Sequence, residues 1–267
     1  MELKELQRNW DILGKEDPLW AIITWQDKKG NKWDPVEFFA SGRQEIADVM
    51  QYLASLHLDG PRQRALDFGC GVGRLTRALA GHFAKATGVD IAPSMIAQAQ
   101  ELDLEHRSDF VLNARADLSM FPDNTFDFIY SNIVLQHMRP EYSTAYIREF
   151  CRVLAPGAVA VFQLPSKHKP PAKQRSWKDL VRPLIPSPVL RWYRNRHRAA
   201  SPVEAPPPQP ARARMEMYTV PMAQVLELIK TSGCRLVDAI EDGAAGPAYE
   251  SWRYCIVKPV DKSAAVA

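Results

Sequence analysis

The 267-residue sequence has only four cysteines, Cys70, Cys151, Cys234 and Cys255, and no two of them form a Cys-x-x-Cys pair. That scatter argues against a disulfide framework or a thiol zinc site and fits reduced thiols in a cytoplasmic protein. No apolar run approaches the ~18–20 residues that span a bilayer. Met1–Arg8 is charged and periodic, unlike the apolar core of a secretory signal. A net charge of +3 is too small to mark the whole chain as a nucleic-acid binder, so DNA is not an expected partner and any charge argument is local. Internal repeats are lacking. His82, His106 and His168 have no ligand-like spacing, and Pro122-Asp123-Asn124 reads as a turn, so no metal is expected.

The length suits one α/β domain with embellishments and makes two complete domains cramped. Residues 1–60 read as a helical cap, with apolar positions 46, 49, 50, 53 and 56 at helical spacing between Gly42 and Leu58. Four of the seven tryptophans, Trp10, Trp20, Trp25 and Trp33, fall in the first 33 residues, which predicts packing of this segment onto a larger body. A core over 61–166 follows. Strands are expected at Arg64–Phe68, Ala86–Asp90, Phe110–Arg115, Phe126–Ile133 and Ala158–Leu164, and helices at Arg74–His82, Pro93 to about Leu104, and Pro140–Leu154. The pattern resumes over 215–260 with a helix at Pro221–Ser232 closed by Gly233, then strands near Arg235–Glu241 and Ser251–Lys258. A Gly/Ala-rich loop joins the last two strands, which can pair antiparallel at one edge. The expected fold class is α/β: a doubly wound, Rossmann-like seven-stranded sheet, last strand antiparallel, helices on both faces. Residues 261–267 read as a tail.

The first strand ends in Asp67-Phe68-Gly69-Cys70-Gly71-Val72-Gly73 and runs directly into a helix. Alternating glycines let the backbone turn tightly and approach a ligand. A dinucleotide fold needs Gly-x-Gly-x-x-Gly over a pyrophosphate, but Arg74 stands where its third glycine belongs. Asp67, two residues before the first glycine, is equally unhelpful to a pyrophosphate and suits a sulfonium-bearing amino acid. Asp90 ends the second strand, placed to accept both ribose hydroxyls of either NAD or S-adenosylmethionine (SAM). Asp117 follows the third strand, where it can accept from an adenine amino group while the Leu118 N–H meets a ring nitrogen; a helix cap or a solvated loop residue explains Asp117 equally well.

Taken in order, Leu66–Arg74, Gly88–Met95, the acid at Asp117, Phe126–Met138 and Arg152–Gly157 resemble the successive motifs of class I SAM-dependent methyltransferases. The closest resemblance is to the ubiquinone-biosynthesis-like small-molecule group. The likeness is strong over about residues 40–165 and weak over 215–258, and it departs only in having Pro156-Gly157-Ala158 for the usual Pro-Gly-Gly. It implies SAM as cofactor, with Asp67, Gly69, Gly71 and Gly73 along the methionine part, Asp90 on the ribose, and Asp117 and Leu118 on the adenine. Phe68, Cys70, Arg74, Ile91 and Met95 complete the expected bed, and Ser131, Asn132 and Gln136 meet it from the fourth strand. His137, beside the substrate mouth, is the candidate general base, set against a purely packing role. Arg43, at an expected helix start in Phe39–Arg43, is a candidate partner for the methionine carboxylate, set against a plain surface arginine. Met217 reads as core, and Tyr218 as either core or substrate-facing.

Residues 167–214 form a basic, proline-rich insertion. Eleven of the 21 prolines lie between Pro165 and Pro210, and twelve Lys or Arg residues between Lys167 and Arg214 face only Asp179 and Glu204. Trp177, Trp192 and Tyr193 interleave with these cations. The segment reads either as a lid that selects an anionic, sugar-bearing or lipid-linked substrate, with peripheral membrane contact, or as a solvated loop. The expected activity is methyl transfer to a small molecule, oxygen first. An NAD-dependent oxidoreductase and a non-catalytic SAM-binding regulator stay open as alternatives.

Overall fold

The computed structural model describes residues 1–170 and 213–260. The expected insertion at 167–214 and the tail at 261–267 therefore lie almost wholly outside the described residues. Among the described residues, seven strands form one sheet: β1 (Arg64–Phe68), β2 (Lys85–Asp90), β3 (Ser108–Leu112), β4 (Phe126–Ser131), β5 (Leu154–His168), β6 (Arg235–Glu241) and β7 (Tyr249–Val257). Their order is β3-β2-β1-β4-β5-β7-β6. Strands β1 to β5 are parallel, and β7 lies antiparallel between β5 and β6. The doubly wound, Rossmann-like sheet with its antiparallel last strand is the one the sequence predicts.

Side chains alternate across the central strands. Phe128 and Tyr130 of β4, Val159 and Val161 of β5, and Cys255 and Val257 of β7 enter one core, while Ile129, Ala160, Phe162, Tyr254 and Ile256 enter the other. With both faces apolar, these strands need cover on both sides. Helices α3 (Pro35–Ser55) and α4 (Arg74–Leu79) cover the first face; α6 (Pro140–Val153) and α7 (Met222–Thr231) cover the second. Helices α1 (Leu3–Glu16) and α2 (Pro18–Ile22) join the body through α5 (Pro93–Leu102). Ser94 donates from its amide to Asp11 Oδ1 at 2.9 Å, and Gln98 donates to the Gly14 carbonyl at 2.7 Å.

Three boundaries differ from expectation for identifiable reasons. Helix α3 starts seven residues early, because Asp34 caps it by accepting the Glu37 N–H at 3.0 Å and Pro35 occupies the first helical position, where a missing N–H costs nothing. Phe39–Arg43 is thus mid-helix and not a helix start. Strand β3 stops at Leu112 because Asn113 turns the chain, its Oδ1 accepting the Arg115 N–H at 3.0 Å and its Nδ2 donating to the Asp117 carbonyl at 2.8 Å. Strand β5 extends to His168 because β7 pairs with it as far as Tyr249, a long-range partner invisible to local periodicity.

Strand order reverses between β1 and β4. In open α/β sheets the ligand crevice lies outside the carboxyl ends at such a switch point.

Candidate functional site

A cavity of about 360 Å³ opens at that point. Its floor is Phe68–Gly71 with Arg74, and Asp90 and Ile91 follow from β2. Asn132–Val134 and Gln136–Met138 after β4 form one wall. The roof is the N-terminal segment, with Leu3, Leu6 and Trp10 from α1 and Ile22, Ile23 and Trp25 at and after α2. Met215 and Met217 close one side. Trp10 and Trp25 thus do more than pack. Clustered tryptophans were the available sign of a roof, but a sequence does not say what lies beneath them. Met217, expected in the core, lines the cavity, whereas Tyr218 does not and donates its N–H to the Gln136 carbonyl at 2.7 Å.

The glycine turn has the conformation its composition implies. Gly69, Gly71 and Gly73 sit at φ of +80°, +53° and +83°, a region closed to most side chains. A Cβ on Gly69 would lie 2.3 Å from Val134 Cγ2. The N–H groups of Gly69 and Cys70 both donate to the Val89 carbonyl, at 2.7 and 3.0 Å. Asp90 braces the turn, Oδ2 accepting from the Gly71 N–H at 2.9 Å and Oδ1 from the Ala92 N–H at 2.8 Å. Burial pushes its carboxyl above the ordinary range while those N–H groups pull it back. Each oxygen keeps acceptor capacity for a hydroxyl.

Asp67 lies under the turn and is not part of the cavity wall. It is 1% exposed and accepts the Thr76 hydroxyl at 2.6 Å. Burial pushes its carboxyl up to about 7, against the Thr76 hydroxyl and the charge of Arg74, with Glu45 and Asp90 adding to the rise. Ser131 is also beneath the site, buried and donating to the Phe68 carbonyl at 3.0 Å, where it ties β4 to β1.

A polar cluster that the sequence does not announce is organised by Glu45 of α3. Its Oε2 pairs with Arg74 Nη2 at 2.6 Å, and its Oε1 accepts from the Tyr130 hydroxyl at 2.9 Å and from Asn132 Nδ2 at 2.8 Å. Arg74 Nε and Asn132 Oδ1 are buried with no partner among the described residues, although both side chains line the cavity. A buried unpaired donor and a buried unpaired acceptor are each costly unless a ligand supplies the complementary groups. Arg43, by contrast, is exposed on α3 and does not line the cavity; one residue past the buried Gly42, it falls on the solvent side.

The adenine expectation needs correction too. Asp117 is exposed, and the Ser119 hydroxyl together with the Ser119 N–H, which it accepts at 3.1 Å, holds its carboxyl below the usual range. The Leu118 N–H is already taken by Glu149 Oε2 at 2.7 Å, and neither residue lines the cavity. Asn113 and Tyr146 line that side instead, with Ile91 and Met95. Asp123, in the expected turn, accepts from Arg152 at 2.7 Å.

His137 lines the opposite wall and is 8% exposed. Its Nδ1 lies 2.9 Å from the Glu216 carbonyl and its Nε2 lies 3.2 Å from Gln136 Nε2. Trp10 packs edge-on against the ring at 5.2 Å. Burial pulls its basicity below the ordinary value, with the Glu216 carbonyl pulling the other way, so the ring is neutral at pH 7 with a lone pair available.

Residues 66–162 match the model of a family described as a methyltransferase domain. Among curated relatives, the chain is 33% identical over 136 residues to a trans-aconitate 2-methyltransferase of Methylobacterium radiotolerans, covering 50% of this chain and 49% of that protein. It is 29% identical over 153 residues to a ubiquinone biosynthesis O-methyltransferase of Xanthomonas oryzae, covering 56% and 53%. The chain thus spans about half the length of the curated relatives it matches. Among solved structures it resembles magnesium protoporphyrin IX methyltransferase from Synechocystis with bound SAH, at a TM-score of 0.59 and 18% identity over 96% of this chain and 100% of that one. A SAM-dependent methyltransferase of Leishmania major gives a TM-score of 0.61 at 15% identity, over 95% and 82%. The fold is therefore that of the SAM-dependent methyltransferases. No helix among the described residues is long and apolar enough to cross a membrane.

Proposed function

We propose that this chain, which carries a methyltransferase domain on the class I fold, is a SAM-dependent methyltransferase acting on a small molecule in the cytoplasm. One observation carries the reading: a bed of positive-φ glycines braced by Asp90 lines one cavity together with Arg74 and Asn132, whose buried Nε and Oδ1 have no partner among the described residues. An amino acid joined to a nucleoside matches that donor–acceptor pattern. Arg74 would donate to the carboxylate in place of Arg43, Asn132 Oδ1 would accept from the ammonium, and Asp90 would accept from the ribose hydroxyls. Ile91, Met95, Asn113 and Tyr146 would hold the base. Asp67 would act from below, keeping the turn in shape.

Bound SAM supplies a methyl group on its own leaving group, which leaves the protein to align a nucleophile, exclude water and take up a proton. The apolar roof of Leu3, Leu6, Trp10 and Trp25 serves the second task. For the third, neutral His137 accepts the proton of an acceptor hydroxyl at Nε2, and oxygen is the preferred acceptor atom.

The names of the relatives span a tricarboxylate and quinone precursors, so they do not choose the acceptor. Among the described residues that line the cavity, Arg74 is the only Lys or Arg, and Glu45 already pairs with it. Selection of an anionic or lipid-linked acceptor, and any peripheral membrane contact, therefore falls to the basic segment 167–214. Neutralising Arg191, Arg194 and Arg196 together raises the acceptor KM without changing SAM affinity if that segment selects the substrate; an unchanged KM discards the idea.

Calorimetry tests the main reading. SAM and SAH should bind, NADH should not, and Asp90→Ala should abolish the heat. Binding of NADH alone would move the protein to the oxidoreductases. Binding of SAM without methyl release from labelled SAM in a metabolite extract would leave a regulator.

A further inference from the structure

One buried side chain behind the wall is bonded to it at two points. Gln163 of β5 is 1% exposed and does not line the cavity. Its Oε1 accepts the Ile133 N–H at 3.1 Å. Its Nε2 donates to Gln136 Oε1 at 3.1 Å and to Ser251 Oγ at 2.5 Å. Gln136 Nε2 in turn meets His137 Nε2, and His137 Nδ1 meets the Glu216 carbonyl. Ile133 itself stands at φ +59°. That conformation is strained for a β-branched residue and persists only where the surroundings enforce it.

The two ends of this chain of bonds fix its direction. A backbone N–H can only donate, so Gln163 must turn its oxygen to Ile133 and its amide nitrogen to Gln136. Gln136 must then present oxygen to Gln163 and nitrogen to His137. At the far end a backbone carbonyl can only accept, so His137 must carry its proton on Nδ1 and leave a lone pair on Nε2. Both ends demand the same polarity, and the four bonds agree without a mismatch.

We propose that Gln163 is a positioning residue for the reaction: it holds the strained Ile133 turn and, through Gln136, sets which nitrogen of His137 bears the proton. This rests on the proposed role of His137 as the base. With the polarity as found, the lone pair faces a single long amide contact that an acceptor hydroxyl can displace. With the reverse polarity, Nε2 would be protonated and could take up nothing.

Gln163→Glu tests the direction. Once ionised, the carboxylate keeps the Ile133 bond and can accept from Ser251, but it can no longer donate to Gln136. The Gln136 amide must then turn over and offer its oxygen to His137 Nε2, which is satisfied only by a proton there. Since Nδ1 still faces Glu216, the doubly protonated ring is favoured. In the wild type, burial lowers the basicity of the ring and the Glu216 carbonyl opposes that. The His137 titration followed by NMR should therefore rise by about one pH unit or more, a tenfold change in proton affinity. Adding Gln136→Leu separates relay from charge and should remove most of that rise. Measured where the carboxyl carbon shift establishes that the introduced carboxyl is ionised, a His137 titration unmoved in Gln163→Glu, or a rise fully retained in the double variant, overturns the proposal. Nitrogen shifts of the unaltered protein give a further check that needs no variant to fold: a proton on Nδ1 is expected, and one on Nε2 refutes it. These readouts are independent of methyl transfer, so failure of the methyltransferase reading would show separately, as absent SAM binding.

Discussion

Replacing Asp67 by Asn should change how stability depends on pH, in a direction set by burial. In the folded protein the carboxyl is raised from an ordinary 3.8 to about 7, chiefly because it is sealed from water under the glycine turn. The folded state thus keeps a proton that the unfolded chain releases between about pH 4 and pH 7. Stability must fall as pH rises through that window, by about 1.4 kcal/mol per pH unit while the two states differ by one proton. Across the full gap the loss is about 4 kcal/mol, a large share of the ~5–15 kcal/mol that holds a typical domain together. Asparagine mimics the protonated acid and can still accept the Thr76 hydroxyl now bonded at 2.6 Å. The variant should exceed the parent by about 1 kcal/mol near pH 4.5 and by about 4 kcal/mol near pH 8. Urea unfolding of both proteins without ligand, at half-unit steps between those limits, measures the difference while other titrations cancel. A difference that stays flat across the range, or a variant less stable at pH 8, would refute the account of Asp67 as a buried support that keeps its proton up to about pH 7.

Other expectations follow from the same geometry. Arg74→Ala should weaken SAM and SAH binding at least tenfold by loss of a charge-assisted bond of about 1.5–3 kcal/mol, whereas Arg43→Ala should leave it unchanged; equal effects in calorimetry would contradict the assignment. Asp117→Ala should alter SAM affinity by less than about twofold, since its carboxylate is solvated; a tenfold loss would restore it to the adenine site. Gly69→Ala should cost about 2 kcal/mol or more, because a positive φ and a 2.3 Å approach to Val134 combine; a thermal midpoint within a degree of the parent would rule that out. Trp10→Ala should raise the acceptor KM with little change in SAM affinity, a split that steady-state kinetics with both substrates varied will reveal.

Much of this could be read from the chain because it is local. Strand, turn and helix around Asp67–Arg74 follow from alternating glycines after an apolar run, and Asp90 follows from ending the next strand. The residues that escaped notice depend on distant partners. Glu45 lies on the part of α3 that meets Arg74, Tyr130 and Asn132, and nothing in its neighbours distinguishes it from a surface acid. Arg43, two positions earlier, looked equally suitable and is turned outward by about 200° of helix. Leu118 was expected to offer its N–H to a ligand, but Glu149, on a helix 31 residues later, takes it first. Gln163 sits in an apolar strand where a lone amide gives no sign of bracing the loop after β4. Long-range pairing decides such cases, and the periodicity of one sequence does not contain it.

The walls around the cavity come from pieces as far apart as Leu3 and Gly246, and the pieces divide by task. The floor belongs to the segment between Phe68 and Asp90, while the roof belongs to the first 25 residues. Drift in the roof can therefore retune which acceptor is admitted without disturbing the floor, and grafting a different leading helix is a practical route to a new specificity.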